Sequence, residues 1–174
     1  YDKLLPGAKK PKRTLSQQKS TSAVIFYWGI EREFPELGVH NIFFSEDYRE
    51  EFTRLEGGGL AEDVTVYVNI SSKIVKEDAP AGGENWFVMV NAPAHTDQDW
   101  DALIPKLRKR VLAMLQKRLF APAAEPQKQL PSLAGLIVEE RIITPPEIER
   151  LTGCLLYTSY AADAPLRLAL HRPP

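Results

Sequence analysis

The chain has 174 residues, of which 44% are hydrophobic and 26% charged, a composition typical of a folded globular protein rather than a disordered one. Its formal net charge of -1 provides no general attraction to nucleic acid or to an anionic membrane. No apolar run approaches the ~20 residues of a transmembrane helix, so none is predicted.

Residues 1–19 predict an exposed linker or loop, because basic side chains surround two prolines and few groups are apolar. The basic side chains are those of Lys9, Lys10, Lys12, Arg13 and Lys19. A solvated loop is the simpler interpretation, although such a segment could also contact anionic lipid or phosphate.

The next segments predict two strands and a helix. Residues 20–30 (STSAVIFYWGI) are rich in β-branched and aromatic side chains and are apolar on both faces, as in a buried central strand or the wall of an apolar cavity. Residues 40–44 (HNIFF) predict a short second strand. A helix is predicted over about residues 48–55, with its cap at residues 45–47.

Two further strands are predicted at residues 64–70 and 86–91, where the side chains alternate with a two-residue period. The connection between them, residues 73–83, is charged and then rich in proline and glycine, and it is too long for a tight hairpin turn. We expect the two strands to be neighbours in one sheet. Both of their faces carry apolar groups, so either another element covers the sheet or a ligand lies on it.

From residue 96 to Leu119 the apolar side chains follow the 3.6-residue period of a helix, which Pro105 either kinks or begins. This basic helix could lie on a membrane, but packing on the sheet is the simpler interpretation. IVEERII, within residues 133–144, predicts a strand, and TPPEIERLTG predicts a short helix capped by Thr144. The order of elements predicts an α+β fold, with helices packed on a mixed or antiparallel sheet.

The residues show no catalytic or metal-binding signature. His40, His95 and His171 do not stand at metal-ligand spacing from another histidine, cysteine or carboxylate. The glycines at residues 57–59 lack the Lys-Ser/Thr of a phosphate-binding loop. We therefore predict no metal site and assign no catalytic residue.

Two blocks are specific enough to indicate a family: HNIFFSEDYREEF at residues 40–52 and SSKIVKEDAPAGGENWFVMVNAP at residues 71–93. Together with STSAVIFYWGI, EDVTVYVNI, DWDALIPKLRKRVL and ERIITPPEIERLTG, in the same order, they resemble the middle-to-C-terminal part of the flavin-dependent carotenoid desaturases, the phytoene desaturase-like family. The resemblance runs from about Tyr1 to Gly153. It implies that residues 20–153 form part of the substrate domain of an amine-oxidase-like flavoprotein.

The resemblance also implies an oxidoreductase in which FAD removes hydride from a long polyene, such as phytoene, inside an apolar channel of the protein. The family's FAD-binding motifs are not found in this sequence, so we expect FAD in a longer parent protein and no activity in the isolated chain. The implied partner is a hydrophobic carotenoid, with no nucleic acid or metal. We expect a cytoplasmic protein that contacts a membrane peripherally.

Aromatic side chains on the predicted strands are candidates for the wall of that channel. They are Phe26, Trp28, Phe43, Phe44, Trp86 and Phe87. Ordinary packing in the core is the alternative for each of them.

Residues 154–174 begin with CLLYTS, which resembles a translated sequencing adapter, and then show no clean period. We expect this tail to be non-native; the alternative is a short strand, LLYTSY, with a loose end. Two alternative functions also stay open. One is a non-catalytic lipid- or isoprenoid-binding module, and the other is a different amine-oxidase-like carotenoid enzyme, such as an oxygenase, an isomerase or a retinol saturase relative.

Overall fold

The computed structural model describes Gly7, Lys9 and residues 21–94, 98–120 and 131–152. The predicted linker, except for Gly7 and Lys9, and the predicted tail lie outside the described residues. The elements are, in chain order, β1 (Ser22–Ile30), β2 (His40–Phe43), α1 (Tyr48–Glu56), β3 (Val66–Asn69), β4 (Glu84–Ala92), α2 (Trp100–Leu119), α3 (Leu133–Leu136), β5 (Ile137–Ile143) and α4 (Pro145–Thr152). This confirms the predicted order, to which the structure adds the single turn α3 and two 3₁₀ turns between β3 and β4, Ser71–Lys73 and Lys76–Asp78.

The described strands form one sheet in the order β2-β3-β4-β1-β5, and every pairing between them is antiparallel. The α+β class is thereby confirmed, and so is the prediction that β3 and β4 are neighbours. The long strands β1 and β4 pair along their whole length, with Trp28 opposite Trp86. The most apolar strand thus lies inside the sheet rather than at an edge.

The first face of the sheet packs against α2 and holds the larger core. Val24, Phe26 and Trp28 of β1 point to this face with Val88 and Val90 of β4, because alternate residues of a strand share a face. From α2 the buried side chains of Leu107, Val111 and Leu115 reach this core at four-residue spacing. Each such buried aliphatic side chain contributes about 1.5–3 kcal/mol through removal from water. The helix therefore packs on the sheet, as the simpler interpretation of its sequence predicted.

Helix α2 begins at Trp100, and its cap is Asp99, whose Oδ1 accepts a hydrogen bond from the Ala102 backbone nitrogen at 3.0 Å. Pro105 lies inside the helix, so the regular part begins before the proline and not at it.

The second face of the sheet has its own, smaller core. Ala23, Ile25 and Tyr27 of β1 point to it, and Ile143 of β5 and Ile148 of α4 pack with them. Helix α4 therefore covers the β1–β5 end of this face. A helix of this chain therefore covers the first face, whereas on the second face α4 covers only the β1–β5 end, and what covers β3 and β4 there stays open between another element and a ligand.

A buried carboxylate fixes α1 to the sheet. The Glu51 side chain is 1% exposed and accepts hydrogen bonds from Ser45 Oγ at 2.9 Å, from the Thr65 backbone nitrogen at 3.0 Å and from Thr65 Oγ1 at 2.7 Å. These contacts join the start of α1 to the segment that leads into β3. Three hydrogen-bond donors surround the carboxylate, and these bonds offset the free-energy cost of removing it from water.

A second buried carboxylate, that of Glu84, holds the connection between β3 and β4. It accepts hydrogen bonds from the Phe34 backbone nitrogen at 2.9 Å and from Trp86 Nε1 at 2.8 Å. Lys73 Nζ lies 2.6 Å from Glu84 Oε1 and donates to the Phe34 carbonyl at 2.6 Å. The lysine thereby ties residues 71–73 to both β4 and the segment after β1.

Replacement of Glu51 with Ala is expected to lower the free energy of unfolding by about 1–3 kcal/mol, because it leaves the Ser45 and Thr65 donors without their acceptor. Chemical denaturation followed by circular dichroism measures this change. The matched control is Glu50→Ala, which removes a neighbouring but exposed carboxylate whose ion pair with Arg54 is at the surface. Equal losses of stability in the two variants would contradict a role for the buried contacts.

Replacement of Lys73 with Met is expected to cost about 3 kcal/mol, because it leaves the Glu84 carboxylate buried without its cation. We expect the lower end of the range for buried pairs because the Lys73 side chain is 19% exposed. Thermal and chemical unfolding measure the loss. Lys76→Met is the control, since Lys76 is exposed on the same connection; a loss as large in that variant would rule out the pairing as the cause.

Candidate functional site

The six predicted channel candidates lie in different parts of the fold. Phe26, Trp28 and Trp86 are buried on the first face beneath α2, and Phe43 packs partly buried against the same core. The remaining two differ from these: Phe87 is buried on the second face, whereas Phe44 is 56% exposed just beyond the end of β2. The structure does not bring the six together around one space, and their place in a channel wall stays a prediction.

The indole nitrogens of two of these candidates are already engaged. Trp28 Nε1 donates to Glu140 Oε1 at 2.6 Å, and the Nε atom of Arg108 donates to the same carboxylate at 2.8 and 3.0 Å. Trp86 Nε1 donates to Glu84. Such contacts are those of tryptophans that anchor a core, because a buried indole N–H requires a partner.

A row of rings crosses the second face from strand to strand. The Tyr27 and Phe87 rings meet edge to face with centroids 5.5 Å apart, and Phe87 and Tyr67 do so at 6.2 Å. The imidazole of His40 stacks on Tyr67 at 6.1 Å with an interplanar angle of 17°. This aromatic row, Tyr27, Phe87, Tyr67 and His40, takes one ring from each of β1, β4, β3 and β2. It is buried at the β1 end and exposed at the β2 end.

The exposed end of the row carries a hydrogen-bonded polar cluster. His40 Nδ1 lies 2.8 Å from Tyr67 Oη and 3.2 Å from Asn69 Nδ2. Burial raises the pKa of Tyr67 above its ordinary value of 10.0, and a hydrogen bond from Asn69 opposes this only in part. The Tyr67 hydroxyl is therefore protonated at neutral pH and can both donate and accept a hydrogen bond.

Exposed apolar side chains follow this cluster on β2 and in the segment after it. Ile42, two residues after His40, is 55% exposed, and beyond it lie Phe44 at 56% and Tyr48 at 49%. The Phe44 and Tyr48 rings meet edge to face, with centroids 5.9 Å apart. We call His40, Ile42, Phe44, Tyr48 and Tyr67 the β2 surface.

Sequence reasoning weighed His40 among possible metal ligands and did not single out Tyr67. The two residues are 27 positions apart, and what joins them is the register that places His40 opposite Asn69 and Ile42 opposite Tyr67. The alternation of side chains in the sequence indicated that both segments are strands. It did not indicate the register in which the two strands pair.

The described residues contain no recognisable metal-binding group and no dinucleotide-binding unit. Within the described ranges no group of three or more histidine, cysteine or acidic side chains could hold a metal ion. The described strands pair only in antiparallel fashion, so they form no parallel βαβ unit of the kind that cradles a dinucleotide. Among the described helices, none is long and apolar enough to cross a membrane.

No protein-family model matches the chain. It is 42% identical over 163 residues to a 1-hydroxycarotenoid 3,4-desaturase of a Flavobacterium species, an alignment that covers 93% of this chain and 31% of the relative. It is 34% identical to a zeta-carotene-forming phytoene desaturase of Myxococcus xanthus, over 83% of this chain and 27% of the relative. A phytoene desaturase of Phycomyces blakesleeanus is also 34% identical, over 68% of this chain and 22% of the relative.

The chain belongs to the carotenoid desaturase family. This confirms the resemblance on which the sequence analysis relied. The chain spans about a third or less of the length of these relatives, so it corresponds to a segment of them.

Because burial favours the protonated Tyr67 in the folded state, its contribution to stability is present below pH 10 and is lost as the pH rises through the raised pKa. Tyr67→Phe is expected to unfold with a weaker dependence on pH above 10, as measured by chemical denaturation at a series of pH values. Tyr48→Phe, which removes an exposed hydroxyl, is the control. An unchanged pH dependence in Tyr67→Phe would contradict the raised pKa.

Proposed function

We propose that this chain is part of the substrate domain of a longer FAD-dependent oxidoreductase that desaturates a long carotenoid polyene. The observation that carries the proposal is the 42% identity to a carotenoid desaturase over 93% of the chain. Desaturation removes two hydrogens from adjacent carbons of the substrate, and FAD supplies the hydride acceptor. By the resemblance to the family, whose FAD-binding motifs are not found in this sequence, we assign FAD to other parts of the longer protein, in an amine-oxidase-like arrangement.

The second face of the sheet, rather than the first, is our candidate for the side that borders the substrate. Helix α2 closes the first face with side chains of this chain, whereas the β2 end of the second face presents Ile42 opposite Tyr67. A polyene hydrocarbon offers no charge, so binding depends on apolar area at about 25 cal/mol per Å². Of the six channel candidates, only Phe87 packs on this face. Core packing suits Phe26, Trp28, Phe43 and Trp86, and Phe44 lies beyond β2, beside α2.

The substrate class also supports peripheral contact with a membrane, because a long polyene dissolves in a bilayer and not in water. A cytoplasmic location at the membrane surface is part of this proposal. The exposed aromatic side chains of Phe44 and Tyr48 are compatible with it, since aromatic rings are favoured at the bilayer interface.

The proposal is tested with the full-length protein, incubated with FAD, vesicles and acyclic carotenoids. The expected result is a product with additional conjugated double bonds, seen as a shift of its absorption to longer wavelength and a mass lower by two hydrogens per double bond. The isolated chain serves as the control and is expected to be inactive and to leave FAD unbound. Stoichiometric FAD binding by the isolated chain would overturn the assignment of FAD to other parts of the protein.

The other candidate functions give different results in the same assay. An oxygenated or isomerised product would contradict the proposed desaturase activity and would identify the protein as another amine-oxidase-like carotenoid enzyme. If the polyene bound but no product formed in the presence of FAD and an electron acceptor, the protein would instead be a lipid- or isoprenoid-binding module.

A further inference from the structure

We draw no further inference here: the strongest candidate, the pocket beside the β3–β4 connection lined by Ser72, Lys73 and Lys76, carries none, because Glu84 and Glu33 on its walls balance the two lysines and nothing within the described residues points to a ligand.

Discussion

The burial of β1 on both of its faces is the constraint on which the remaining structure depends. Every residue of the strand except Gly29 is buried, and apolar side chains alternate to both sides. Such a strand is stable only inside a sheet with cover above and below, because exposure of either set to water would cost about 1.5–3 kcal/mol per large side chain. The pairing with β4 and β5, and the helices on opposite faces, all satisfy this one requirement.

Two buried carboxylates set the positions of the segments that the sheet alone does not hold. Glu51 receives three hydrogen bonds from the segments that flank β2 and β3, and Glu84 combines two hydrogen bonds with an ion pair. Apolar burial is nondirectional, so it cannot place α1 or the β3–β4 connection at one position. The directional contacts of these two acids do so, and those of Glu51 also position Tyr48, the first residue of α1.

The order of elements was accessible from the sequence because each element has a strong local signal. IVEERII coincides with β5, and the stripe of α2 follows the helical period. The position of β1 within the sheet and the side to which each aromatic ring points depend on pairing register, which alternation does not encode when both faces are apolar. For that reason Trp28 and Trp86 could not be distinguished from channel residues, and the contact of His40 with Tyr67 could not be foreseen.

The two faces of the sheet differ in a way that follows from these contacts. The first face is closed by a long helix of the same chain, and the indole nitrogens of Trp28 and Trp86 on this face donate to carboxylates. On the second face the rings progress from buried Tyr27 to exposed His40, where a polar cluster interrupts an apolar edge. In a core, such a cluster would only cost desolvation. On an exposed edge its side chains remain in contact with water, so the desolvation cost is small, and the contact of His40 with Tyr67 fixes the last ring of the row.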